Sequence, residues 1–101
     1  MAQIIWSKLA LNDLDNIHDY IAKESSFYAQ KTIEEFLDRV AILANYPEIG
    51  REVPEYIRSD VRELIEGNYR IFYKIRKKHI NIIRIHHSAR NIVGRPKSTS
   101  V

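Results

Sequence analysis

The sequence has no cysteine, one tryptophan, one methionine, three glycines and three prolines. Without cysteine there is no disulfide framework, no thiolate metal site and no thiol nucleophile, a composition suited to a reducing compartment. No apolar run approaches the ~20 residues of a membrane helix, which excludes a helical membrane span. The N-terminal MAQIIWSKLALNDLD carries one lysine and a short apolar patch ahead of its carboxylates. It lacks the basic start and long apolar stretch of a secretory signal, so a cytoplasmic location is expected. Also missing are a phosphate loop, a dinucleotide fingerprint, a nucleophile elbow and a paired-carboxylate motif, and the four histidines show no HExxH spacing. Neither a metal nor another cofactor is expected.

What is present is an ordinary globular composition, 45% hydrophobic and 29% charged, in a chain of 101 residues. A chain of that length suits one compact domain with its own core. Charge is unevenly placed. Acids outnumber bases up to Glu55, whereas from Tyr56 onward 11 lysines and arginines face only Asp60, Glu63 and Glu66. The net charge of +3 is therefore concentrated in the C-terminal half, which suggests nucleic acid or an acidic protein segment as partner. The plain alternative is a solvated Lys/Arg surface.

Hydrophobic periodicity divides the chain. Gln3 to Trp6 (QIIW) is short and β-branched and reads as a strand, with Ser7 as the N-cap of a following helix. Ala10, Leu14, Ile17 and Ile21 recur at four-three-four spacing, so an amphipathic helix is predicted to about Lys23. Ser25 and Ser26 interrupt it and offer a second cap. Ala29, Ile33, Phe36, Val40 and Leu43, widened by Leu37, Ala41 and Ala44, then predict a helix to about Ala44. Two such stripes joined by a short link read as an antiparallel helical hairpin. Tyr20, Tyr28 and Tyr46 are expected to pack on or cap it. Pro47, Gly50 and Pro54 break the period and make a surface loop.

Val61 to Glu66, Tyr69 to Ile75 and Ile80 to His87 are β-rich runs separated by Gly67-Asn68 and by Arg76 to His79, a three-stranded antiparallel meander. The fold class is thus α+β: an N-terminal strand and a helical hairpin packed on an antiparallel sheet completed by that meander. One domain is expected over residues 1–90, with 91–101 a flexible tail rich in Ser, Gly and Pro. A two-residue loop at Gly67-Asn68 places Leu64 opposite Ile71 and Ile65 opposite Arg70. A loop at Lys77 to His79 places Ile71 opposite Ile85 and Tyr73 opposite Ile83, giving the apolar face that packs on the helices. Glu63, Ile65, Arg70, Phe72, Lys74, Ile82, Arg84 and His86 then occupy a second face, mixed basic and aromatic and left uncovered.

Imidazole titrates near neutral pH unaided, which makes His86 and His87 the candidates for acid-base work. Strand alternation sends them to opposite faces, so they cannot share a metal. His87 falls on the apolar face, where a lone histidine is usually structural; His86 falls on the basic one. Arg70, Lys74, Arg84, His86 and Arg90, with Arg62 on the preceding strand, are candidates for binding phosphate or a protein target, and Phe72 or a tyrosine is available to stack on a base. Arginines also pair with carboxylates such as Glu63.

The order of elements and particular residues together resemble the RelE/ParE superfamily of bacterial type II toxin–antitoxin toxins. Trp6, Ala10, Asp13-Leu14, Ile17 and Tyr20-Ile21-Ala22 are similar to its first helix, and Pro47, Gly50-Arg51 and Pro54 to its loop. Arg62-Glu63-Leu64, Tyr69-Arg70-Ile71-Phe72-Tyr73 and His87-Ser88-Ala89-Arg90 are similar to its sheet. The resemblance implies a small cytoplasmic toxin neutralised by a cognate antitoxin through which alone it reaches operator DNA. It also implies one of two activities: ribosome-dependent messenger RNA cleavage in the RelE branch, or DNA gyrase inhibition that blocks replication in the ParE branch. RelE-like nucleases use a basic residue late in the second strand, an arginine just after the last strand and a tyrosine or histidine near the C-terminus. Those positions here are Ile65, Arg90 and none after His87, with Arg70 common to both branches. Another nuclease subgroup uses a histidine close to the end of the last strand, which His87-Ser88 resembles, so a metal-independent nuclease would draw on Arg70, His87 and Arg90. The His-x-Ala-Arg ending and the YRIFY strand resemble ParE more closely. The expectation is a gyrase inhibitor that helps retain the DNA encoding it, with a ribosome-dependent endoribonuclease, and then a non-toxic antitoxin-binding partner, as alternatives.

Overall fold

A computed structural model describes residues 1–56, 58 and 60–88. The expected tail over 91–101, and Arg90 before it, lie outside the described residues. In order come β1 (Gln3–Trp6), α1 (Lys8–Ala22), α2 (Ser26–Ala41) with a 3₁₀ turn (Ile42–Ala44), β2 (Arg51–Glu52), β3 (Val61–Glu66), β4 (Tyr69–Ile75) and β5 (His79–His87). The helical caps are the two serines. Ser7 Oγ accepts from Ala10 N at 3.0 Å and Ser25 Oγ from Tyr28 N at 3.1 Å, each taking up an N–H that a helix start leaves unpaired.

The strands form a single sheet in the order β1-β5-β4-β3-β2. The expected α+β architecture is present, with one difference: the sheet is mixed. β1 runs parallel to β5, with Gln3 opposite His79 and Trp6 opposite Ile82, while the other pairs are antiparallel. The short β1 covers an edge of β5 that would otherwise offer unpaired backbone groups to another chain. Its direction follows from the next element. Ser7 N donates to Ile82 O at 3.0 Å and Ser7 Oγ to Ile83 O at 2.9 Å, so the residue that caps α1 also pins the helix start to β5.

The core lies between the helices and one sheet face. Ala10, Leu14, Phe36, Val40 and Leu43 meet Leu64, Ile71, Tyr73, Ile80, Ile82 and Ile85, with Ile17 and Ile33 partly buried around them. The helical stripes thus point inward as their spacing predicts. Leu37 and Ala41 do not; both are exposed on the outside of α2. Tyr20, Tyr28 and Tyr46 are also corrected, being 60% to 66% exposed rather than packed.

Two further expectations are revised. The β3–β4 register is as predicted, Leu64 opposite Ile71 and Ile65 opposite Arg70. On β5, however, Tyr73 faces Ile82 rather than Ile83, with a bulge opposite Phe72/Tyr73. The turn has four residues, closed by Arg76 N donating to His79 O at 2.9 Å, so Ile75 rather than Arg76 pairs with Ile80. That shift of one residue would reverse every later side chain, and the extra residue Ile83 restores the phase, so that Ile71 still meets Ile85. Ile82 consequently joins the main core and Ile83 the other face.

That second face is not left uncovered. Val53, Val61 and Phe72 are buried there, with Tyr56 and Ile83 against them, because the chain just after the edge strand β2 folds back across the sheet. Tyr73 anchors this segment: its hydroxyl accepts from Gly50 N at 2.9 Å and donates to Pro47 O at 2.7 Å. A Cβ on Gly50 would lie 2.5 Å from that hydroxyl and 2.6 Å from Glu63 O, so the loop requires glycine for close approach. Burial raises the Tyr73 phenol above its ordinary range.

Candidate functional site

One end of β5 faces α1 across a cleft of about 350 Å³. Asp13, Asn16, Ile17 and Tyr20, at helical spacings of three, four and seven, line the α1 side; Tyr69 and residues 84 to 87 line the other. The cleft exists because β1 stops pairing at Ile82 and α1 then takes over the β5 edge. Asp13 makes that junction. Its Oδ2 accepts from Ile85 N at 2.8 Å and from Arg84 Nε at 2.9 Å, and its Oδ1 accepts from Arg84 Nη2 at 3.2 Å. The carboxylate therefore terminates a strand edge and binds a guanidinium at two points, the stronger form of such a pair. Hydrogen bonding to Asp13 holds Arg84 above the ordinary arginine range.

Because Asp13 serves both partners and Arg84 only one, Asp13→Ala is expected to cost about 2 kcal/mol in folding free energy, and Arg84→Met less than half as much. Urea denaturation of both variants checks this; an equal or larger loss for Arg84→Met would contradict the junction.

Alternation separates the two histidines as expected. The His87 ring meets Tyr69 edge-on at 4.9 Å, and Tyr69 meets Phe36 of the core at 5.2 Å. The His86 ring meets Phe72 on the other face at 5.4 Å. Both nevertheless line the cleft, which sits where the sheet ends. His86, His87 and Arg84 are thus brought together.

Arg70 and Arg62 lie elsewhere. Glu63 is buried to 1% residual exposure on the outer face, and its carboxylate accepts from Arg70 Nε and from Arg51 Nε, each at 2.6 Å. Arg70 also donates to both oxygens of Glu55, at 2.9 and 3.1 Å, and lies 4.9 Å over the Phe72 ring. Its guanidinium is consumed by two carboxylates and held above its ordinary range, first through Glu55, whose own carboxyl the Arg70 hydrogen bond lowers. Arg62 Nη1 donates to Gly50 O at 2.9 Å and Nη2 lies 3.9 Å from Glu52, so it ties the loop to β3. Lys74 is half-buried on β4 between Val61 and Asn81 and makes no ion pair among the described residues.

The cleft can bind a polar or aromatic group and exchange protons through imidazole, but its arginine is neutralised by Asp13. No cluster of three or more metal-binding side chains occurs among the described residues. Asp13, Asn16, Tyr20 and Tyr69 were not among the expected site residues. The helical spacing of the first three was visible, but their stripe lies beside the apolar one and reads as solvent until β5 is placed against it.

A family model described as the ParE toxin of the type II toxin–antitoxin system, parDE, matches residues 4–92. Toxin RelE2 of Caulobacter vibrioides is 37% identical over 90 residues, covering 89% of this chain and 99% of that protein. Among solved structures, the chromosomal ParDE system from P. aeruginosa superposes with a TM-score of 0.72 at 26% identity, over 86% of this chain and 96% of that one. The E. coli DinJ-YafQ complex shares the fold, with a TM-score of 0.55 at 13% identity over 90% and 98% of the two chains. On the match over residues 4–92 and the sequence identity to RelE2, this chain belongs to the ParE family of type II toxin–antitoxin toxins.

Proposed function

We propose that the chain is a toxin that acts by binding, inhibiting DNA gyrase and thereby replication, and that a cognate antitoxin neutralises it. The observation that carries this reading is the state of the strand arginines. Cleaving a phosphodiester needs a base for the 2′-hydroxyl and a cation to stabilise charge on the phosphorus oxygens. Arg70 is held by Glu63 and Glu55 and Arg84 by Asp13, so each is already spent within the fold. Ile65, at the place of the nuclease's late second-strand cation, is apolar and 43% exposed.

A cognate antitoxin is the partner this reading implies, as in the chromosomal ParDE TA system from P. aeruginosa. Leu9, Leu11, Phe27 and Tyr28 are exposed on the helices and supply apolar anchors for such a segment. Operator DNA would be read by the antitoxin. No helix among the described residues is long and apolar enough to cross a membrane.

The second reading is a ribosome-dependent endoribonuclease, favoured by His87 at the cleft beside Tyr69. Purified chain added to a gyrase supercoiling assay, together with transcript mapping in cells expressing it, separates the two. Gyrase inhibition with intact messenger RNA is expected. Codon-positioned cleavage of ribosome-bound messenger RNA with unaffected supercoiling would replace the first reading by the second. Normal growth without antitoxin would favour a non-toxic partner. Arg90→Ala is expected to abolish growth inhibition while leaving the melting temperature unchanged; full toxicity of that variant would remove Arg90 from the target surface.

A further inference from the structure

Six of the seven arginines among the described residues are held within the fold. Arg39 pairs with Glu66, Arg51 with Glu63, Arg58 with Asp60, Arg62 with the loop carbonyls, Arg70 with Glu55 and Glu63, and Arg84 with Asp13. One arginine among the described residues stands apart. Arg76 makes no side-chain hydrogen bond or ion pair there, and it is followed directly by Lys77 and Lys78, which make none either. All three are exposed on the β4–β5 turn.

Two backbone hydrogen bonds hold the turn that carries these charges. Arg76 N donates to His79 O at 2.9 Å, and Gln3 N donates to Lys78 O at 3.3 Å, so β1 braces the turn from the side. Asp60, whose carbonyl accepts from Ile75 N at 2.8 Å beside the turn, has its carboxylate occupied by Arg58 at 2.9 Å. The cleft lies at the other end of β5, about 25 Å away at ~3.3 Å per strand residue.

We propose that this turn is a second binding site, distinct from the cleft, that takes the phosphate backbone of duplex DNA without reading its sequence. The chemistry around it selects that occupant. A protein segment docks through apolar or aromatic anchors that exclude water, and between Arg76 and Lys78 there are none. Single-stranded nucleic acid is gripped by stacking on exposed aromatic rings, and the one ring of the turn, His79, is half-buried at the start of β5. Closely spaced free cations match a duplex backbone, where contact is electrostatic and driven by counterion release. The site goes beyond gyrase inhibition and does not depend on it.

The test is fluorescence anisotropy of a labelled duplex of about 20 base pairs with the full chain, repeated across salt concentrations. Three phosphate contacts predict a fall in affinity of about 40-fold between ~50 and ~200 mM salt. The triple variant Arg76→Gln/Lys77→Gln/Lys78→Gln is expected to bind at least about tenfold more weakly at low salt, with a flattened salt dependence. The charge-matched control Lys8→Gln/Lys23→Gln/Lys31→Gln, exposed lysines on the helices, is expected to bind as the unaltered chain does. Thermal melts of both variants establish that each is folded. Absence of duplex binding, undiminished binding by the turn variant, or equal losses in both variants would overturn the proposal. Tighter binding of single-stranded RNA than of duplex DNA would overturn the choice of occupant. Supercoiling inhibition that survives in the turn variant leaves the gyrase reading intact, so the two fail separately.

Discussion

Glu63→Ala is expected to lower folding stability by about 3 kcal/mol, a drop in melting temperature on the order of 15 °C for a chain of this length. Glu63 is the most completely buried charged residue described, and two guanidinium groups converge on it from adjacent strands. Removing one partner of a buried pair costs about 3–5 kcal/mol when the remaining charge is stranded. The lower end applies because Arg51 is 62% exposed and can turn to water, while Arg70 keeps Glu55. Arg51→Ala should consequently cost under about 1 kcal/mol, as a largely exposed ion-pair partner does. Chemical denaturation of the two variants decides the matter, and a Glu63→Ala loss no larger than that of Arg51→Ala would refute the clamp.

The second large effect discriminates between neighbours on β5. Ile82→Ala is expected to cost about 3 kcal/mol, within the range for emptying a close-packed isoleucine site. Ile82 is 0% exposed, packed under the helices and paired with Tyr73 and Trp6. Ile83→Ala should cost about half as much or less, because Ile83 is only half-buried at the margin of the smaller outer cluster. With a three-residue loop and no bulge the order would reverse, with Ile83 in the core. Equilibrium melts of the pair thus report the register directly; a larger loss at Ile83 would place the bulge elsewhere.

That pair also shows where reading the residues in order stops being sufficient. Period-2 alternation located β5 but could not count its turn: a loop of three and a loop of four are equally compatible with RKKH. Only the packing of Tyr73 against Ile82, and the need to bring Ile85 back under Leu14's layer, selects the four-residue turn and the compensating bulge. The helical stripes were legible because burial there repeats over four turns. Tyr20, Tyr28 and Tyr46 were misplaced because a tyrosine is equally compatible with a packed and an exposed helix position.

The candidate site divides in the same way. His86 and His87 were assigned to opposite faces by alternation alone, and the structure places them so. Asp13 was hidden because its partners, Arg84 and Ile85, are about 70 residues away in sequence, and no local pattern marks an edge-terminating carboxylate. Arg62, Arg70 and Arg84 looked available for a ligand because charge is visible in a sequence and its neutralisation is not. The turn cations were passed over for the converse reason. Lys77 and Lys78 read as ordinary turn residues until the other described arginines proved to be paired.

By itself the sequence determined the elements other than β2, which falls within the expected Pro/Gly loop, and with them the inward face of each helix, the α+β class and the family, since each depends on short-range periodicity, caps and residue order. Tertiary structure alone decided the parallel β1, the loop folded over the second sheet face, the burial of Glu63 and which cations remain free. Each of those depends on pairing between residues far apart in the chain, where the free energy comes from excluding water around a specific partner rather than from any local preference.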